Sequence, residues 1–506
     1  MLLQRWPGHS CSASCVTTVL ALIAMSVVSG SIVAQESCDR IPPREAPPKE
    51  LVEAMKRQYE QDSVGFQLPD KKMLKAVRND RQQLRRAMVD RLEDRMFIHG
   101  TPINALLDSM MDVIVATDPS LTRPRVNLTW LTIPNAVSWG EGTITVFIGL
   151  LPHLRSKDEL AFVLAHELAH HHQGHTDRDI RAKHERLASG ELKEQVKEAM
   201  RQTYGRRARL EALLMDVVVD VRKHGRAYES ESDSLGLIWL MRTRFDPLGA
   251  IGTMEVLDKT DKELDQRPID LRAAFDHPGV DFSGLMARSQ TPISSLAGVD
   301  AFDRSREEDL KTHPDCVHRA EDLRIWSGME GMGEGGPTNE ARAAYAGIAR
   351  KAMRWLVESE FYYEDAGRAV FLALQRLRDE PEDPFWNAAV ARGFAMLHKA
   401  SKEHDLAFVL ATPKKTLDPV YATFLEVVHG LRMSEYAALS EHYLQRARSS
   451  GPACEATLFA TFWQAHAKGV TNERGVAHDA LFAAYPDTRY RELVEELVAP
   501  PVKPKR

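Results

Sequence analysis

Ser156-Lys157-Asp158-Glu159-Leu160-Ala161-Phe162-Val163-Leu164-Ala165-His166-Glu167-Leu168-Ala169-His170 decides the reading of this chain. Ser156 begins a helix, Lys157-Asp158-Glu159 fill its first turn, and Leu160, Val163, Leu164 and Leu168 supply an apolar face. Residues four apart share one face of a helix, so His166 and His170 can aim a ring nitrogen at one metal ion. Glu167 stands beside them. Zinc lowers the pKa of a water towards about 7, within reach of a carboxylate base at neutral pH. The pattern His-Glu-x-x-His therefore points to hydrolysis, with Glu167 as the catalytic base and one Zn2+ per chain as cofactor.

A catalytic zinc needs a third protein ligand and an open position. Tyr228-Glu229-Ser230-Glu231-Ser232-Asp233 carries two acids on one helical face. Glu229 is either that ligand or an ordinary surface charge, and Asp233 is placed to accept a hydrogen bond from a ligand histidine. Glu231 falls on another part of the helix and reads as solvated. His171, His172 and His175 extend the histidine run; the first two rotate off its face, and all three read as surface or packing residues.

Upstream, Arg125–Thr132 and Thr143–Ile148 read as strands, the second punctuated by Gly140 and Gly142. Asn135, Ala136 and the strand that follows either pair with an extended substrate by strand addition or are plain sheet. Asp177–Gly225 is charged and helical in composition, and Ala227–Met241 is a further helix.

The 506 residues are too many for one core. Net charge is −6 with basic and acidic residues well mixed, which excludes the basic stripe of a nucleic-acid binder. Residues 1–34 combine a basic start, the apolar run Val16–Val28 and small residues ending at Ala34, the pattern of a secretory signal peptide. A retained run would instead anchor the chain at a membrane. No second such run occurs, so no transmembrane segment is expected in the mature chain. Cys38, Cys316 and Cys454 follow the signal and suggest no disulfide framework. Residues 35–97 read as a Pro-rich linker (Ile41–Lys49) and a helical lead-in, 98–330 as the catalytic domain and 331–500 as helices. In that last part Pro384, Pro419, Pro452 and Pro486 recur at 35, 33 and 34 residues, near the period of tetratricopeptide repeats.

Several ordered motifs resemble the HtpX and CAAX-prenyl-protease family of zinc metallopeptidases. Asn135-Ala136, Gly142-Thr143-Ile144-Thr145-Val146 and Gly149-Leu150-Leu151 resemble its strand before the metal helix. Asp158 to His170 is close to its signature, Glu229-x-x-x-Asp233 to its third-ligand motif, and Phe245-Asp246-Pro247 to the turn after that helix. Thr312-His313-Pro314 with Arg319 resembles its His-Pro…Arg segment, whereas Ser138-Trp139-Gly140-Glu141 departs from the small and apolar residues usual there.

The resemblance implies zinc on His166, His170 and Glu229, and an α+β, mainly helical gluzincin fold with a small sheet, followed here by an all-α tetratricopeptide-like domain. His313 would steady the oxyanion or cap the open metal position, and Arg319 would either anchor that loop by a carboxylate pair or sit near the substrate. The added helices resemble the family's periplasmic branch, the beta-barrel assembly-enhancing proteases. Expected substrates are misfolded or stalled cell-envelope polypeptides, and the expected partner of the helices is the outer-membrane assembly machinery. The competing reading is a periplasmic chaperone or assembly scaffold with a latent or regulatory zinc site, against which an intact Glu167 argues.

Overall fold

The computed structural model describes residues 41–61, 71–140, 142–190, 194, 197–198, 227–261, 267–289, 315–329, 336–416 and 418–499. The signal segment, Cys38, Glu141 and His313 lie outside the described residues.

A four-stranded sheet anchors the first half: β1 (Phe97–Ile98), β2 (Arg125–Thr129), β3 (Ala136–Ser138) and β4 (Thr143–Phe147), in the order β1-β2-β4-β3. β2 and β4 pair in parallel, while β1 and β3 join antiparallel at the two edges. β4 reads Thr-Ile-Thr-Val-Phe and all five residues are buried, as befits a strand covered on both faces. The chain leaves β4 through Gly149, where a Cβ would sit 2.0 Å from the Thr132 carbonyl oxygen, so only glycine lets the two segments meet.

The helix foreseen after Ser156 forms as Lys157–Gln173. Numbering helices along the chain, α1 is Lys49–Gln61, α2 Lys71–Glu93, α3 Pro102–Val115 and α4 this helix. The Ser156 hydroxyl accepts from the Glu159 amide and caps it. Glu159 through Ala169 are all buried, because α4 lies between the sheet and α7 (Leu248–Asp261). Gly249 permits that close approach: a Cβ there would fall 2.5 Å from the Asp158 carbonyl carbon. α5 (His175–Ala188) follows α4 with only Gly174 between them. The helix α6 spans 227–241; α8 (Leu271–Phe275), α9 (Phe282–Ser289) and α10 (Cys316–Ser327) complete this half. Cys316 and Cys454 are buried and form no disulfide.

The second half is helical throughout: α11 (Asn339–Tyr362), α12 (Ala366–Leu377), α13 (Pro384–Glu403), α14 (Leu406–Val409), α15 (Pro419–His429), α16 (Met433–Ser449), α17 (Glu455–Lys468), α18 (Thr471–Ala484) and α19 (Arg491–Val498). The proline period has a local cause. Pro384 and Pro419 sit in the first turns of α13 and α15 behind the capping carboxylates Asp383 and Asp418. Pro452 and Pro486 lie in the turns before α17 and α19. Helices of equal length do not alternate between them, since α13 is followed only by the four-residue α14 and a 3-10 turn at Pro413–Lys415. α13 is the central helix, buried from Pro384 through Leu397 and packed against α12, α16 and α17.

The two halves share one hydrophobic core. Tyr345 on α11 donates to the Leu151 carbonyl at 3.0 Å, Ser359 donates to the Trp130 carbonyl, and the Trp130 and Trp355 rings lie 6.2 Å apart. The segment 41–49 differs from the linker expected of its prolines. Ile41 is 4% exposed, and the Arg44 guanidinium stacks 3.4 Å over the Tyr362 ring while donating to Ser359 Oγ at 2.9 Å. Aromatic faces attract the guanidinium and pin a stiff, extended strap across the shared core. Among the described residues, no helix is long and apolar enough to cross a membrane.

Candidate metal and catalytic site

α4 and α6 cross at the site. His166 and His170 project from one face of α4, and Glu229 from α6 meets them. His166 Nε2 and His170 Nε2 are 3.1 Å apart, His170 Nε2 lies 3.3 Å from Glu229 Oε1, and His166 Nε2 lies 3.5 Å from Glu229 Oε2. These three side chains form the one cluster among the described residues able to hold a metal ion. Donors about 2.0–2.2 Å from a tetrahedral ion stand about 3.3–3.6 Å from one another. Both histidine–carboxylate separations fall within that spacing, and the two imidazoles stand slightly closer. Two imidazole lone pairs facing each other beside a carboxylate fit a shared cation, so the donor set suits a divalent metal.

The surroundings keep these donors charged and aimed. Asp233, one turn beyond Glu229 and 1% exposed, brings Oδ1 to 2.9 Å from His166 Nδ1, a close ion-pair contact set off the linear hydrogen-bond direction. Arg319 from α10 donates to Asp233 through Nε at 2.6 Å and Nη2 at 2.8 Å, and its Nη1 lies 2.8 Å from Glu229 Oε2. Arg319 thus ties α10 to α6 through a carboxylate pair, and it also lines the cleft beside Glu167. Burial works against charge here, but Arg319 and the two histidines hold the Glu229 carboxyl well below its ordinary range. Asp233 is lowered in the same way. Burial disfavours a charged His166 ring too, yet Asp233 and Glu229 hold its pKa up to about 10, so a metal and a proton compete for the same nitrogen.

Glu167 is 7% exposed, and the Ser138 backbone on edge strand β3 favours its ionised form. Burial pushes it above the usual carboxylate range, against the opposing pull of His170 and His166. Glu167 and His166 border a cleft with Ala136, Phe162, Met254 and Leu257, which is apolar apart from its catalytic rim. Asn135 precedes β3, where its carbonyl accepts from Phe147 N and its side chain from Ala136 N. Ala136 thus borders the cleft, whereas Asn135 shapes the start of the edge. Thr176 reaches the Ser138 carbonyl at 3.3 Å, and Gly140 leaves room for it. Trp139 turns inward, its Nε1 donating to Thr145 Oγ1.

Glu231 differs from its sequence reading, and His175 is the packing residue of the two alternatives rather than the surface one. His175 is 2% exposed, with Nδ1 2.9 Å from His170 Nδ1 and Nε2 3.0 Å from Glu231 Oε2. Gly174 explains this: its left-handed backbone (φ 63°) ends α4 and turns the chain so that His175 folds back under His170. The signal available in the sequence was that glycine directly between His-rich residues. Glu231, expected in solvent, binds both His175 and Arg178. Burial lowers the His175 pKa to about 4, against the pull of Glu231.

A small sheet, a buried His-Glu-x-x-His helix and a carboxylate donor from a following helix make an arrangement suited to metal-assisted hydrolysis. Residues 104–327 match the model of Peptidase family M48, a span that holds β2, β3, β4, α4, α6 and Arg319. The match supports a metallopeptidase acting on polypeptides. No curated protein matches the chain.

Proposed function

We propose that the protein is a zinc-dependent endopeptidase that cleaves misfolded or stalled cell-envelope polypeptides in the periplasm, delivered there by the signal at residues 1–34. The observation that carries the reading is Glu167, buried beside the three donors at the rim of an apolar cleft. His166, His170 and Glu229 would hold the ion. Zinc there would supply Lewis acidity, lowering the pKa of a water and polarising the scissile carbonyl.

The rest falls to the chain. A substrate strand pairs along β3 beyond Ala136, which orients its backbone without reading its sequence. The cleft of Ala136, Phe162, Met254 and Leu257 receives an apolar side chain next to the scissile bond. Glu167 takes the proton of the attacking water and returns it to the leaving amine. His313, outside the described residues, is the proposed donor to the oxyanion or the cap of the resting site. The C-terminal helices, a degenerate tetratricopeptide-like array on this reading, present a surface to the outer-membrane assembly machinery.

The test pairs metal content with cleavage of unfolded casein. One equivalent of zinc in both wild type and Glu167→Gln is expected, with cleavage falling by about 10²–10⁴ in the variant. Zinc in both proteins without cleavage by either would favour a scaffold. Wild type without metal would overturn the reading.

A further inference from the structure

We infer that Glu231 and His175 form a relay that sets the tautomer of His170 and so holds its Nε2 open for the metal. The inference rests on the reading of His166, His170 and Glu229 as metal ligands and assigns positioning residues that the motif does not contain.

The chain of protons can be followed from its outer end. A carboxylate only accepts, so the hydrogen between Glu231 Oε2 and His175 Nε2, 3.0 Å apart, belongs to His175. A neutral imidazole that carries its proton on Nε2 has a bare Nδ1. That Nδ1 lies 2.9 Å from His170 Nδ1 and can only accept there. The hydrogen between the two rings therefore sits on His170 Nδ1. His170 Nε2 is left with its lone pair, pointing at His166 Nε2 and Glu229 Oε1. At His166 the carboxylate stands closer, with Asp233 Oδ1 2.9 Å from Nδ1. The two ligand histidines are thus each backed by a carboxylate, one at first hand and one through an intervening ring.

The relay is held on every side. Tyr228 stacks on His175 with centroids 4.3 Å apart and planes at 12°. Arg178 Nη1 approaches the same Glu231 oxygen at 3.1 Å, and Ser232 Oγ lies 3.4 Å from His175 Nδ1. Glu231 and Ser232 share α6 with Glu229, so one helix supplies both the third donor and the end of the relay.

Three variants of the full chain separate positioning from packing, read by zinc affinity in competition with a chromophoric chelator and by thermal melting. His175→Phe keeps a ring on Tyr228 but removes the acceptor; His175→Gln breaks the stack but restores an amide oxygen. Glu231→Leu leaves the His175 ring in place and frees its tautomer. Zinc affinity is expected to fall by about 10–100-fold in His175→Phe and Glu231→Leu, and to return most of the way in His175→Gln. Wild-type affinity in His175→Phe, or equal losses in the Phe and Gln variants, would overturn the relay while leaving the peptidase standing. A wild type that binds no stoichiometric zinc would overturn both together.

Discussion

Arg319 grips Asp233 with two parallel hydrogen bonds, Nε at 2.6 Å and Nη2 at 2.8 Å, where neither side chain is more than a few per cent exposed. A fork-to-fork pair of this kind fixes direction as well as charge. Its third nitrogen faces Glu229, so one side chain from α10 orients the metal-facing carboxylate and the carboxylate behind His166.

Arg319→Ala strips the counter-charge from two buried acids at once. The expected cost is about 3–5 kcal/mol of folding stability, because an unpaired buried charge is far worse than no pair. Urea denaturation of wild type and variant measures it. A change below about 1 kcal/mol, the scale of an exposed pair, would mean the guanidinium does not act as this buried clamp.

Glu360 gives the pH prediction. Burial, reinforced by Asp365, pushes its carboxyl to about 7 from an unfolded value near 4.5. The native state then binds the extra proton, so its stability falls as pH rises from about 4.5 to 7 and levels off above that. Glu360→Gln removes a penalty of about 3 kcal/mol at pH 8 and leaves stability at pH 4 nearly unchanged. Melting curves at both pH values test the sign. Equal gains at the two values would refute it.

Leu257 forms part of the apolar wall of the cleft beside Glu167. Leu257→Ala enlarges it, and kcat/KM should shift by about tenfold or more towards substrates with a bulkier residue in that position. Paired peptides differing only at that residue, Leu against Phe, provide the measurement. An unchanged ratio would place the substrate side chain elsewhere.

Gly249 lets α7 lie against the first turn of α4. Gly249→Ala must open that contact or bend it, at an expected cost of about 1–3 kcal/mol. A melting temperature equal to wild type would show that the helices can slide apart freely.

The sequence was most legible where one residue type has one common use. The four-residue spacing of His166 and His170, Ser156 at a helix start and the buried run of β4 each follow from local chemistry. β1 and β3, two and three residues long, carry no pattern of their own and exist because β2 and β4 offer them edges. His175 lay hidden because helical periodicity continued through Gly174 puts it on the wrong face; one left-handed residue reverses the chain. The strap at 41–49 was read from its prolines, while its place is decided by Tyr362 and Ser359, more than three hundred residues away.

The shared core has a consequence for how this enzyme can be taken apart. With Tyr345 bonded to Leu151, Trp355 against Trp130 and Arg44 laid over the seam, the C-terminal helices are a wall of the peptidase rather than a passenger on it. Deleting them would strip Trp130 and Leu151 of their cover, and what remained would expose a broad apolar face prone to clumping. The two halves must therefore melt together, as a single cooperative body from which neither can be cut free intact.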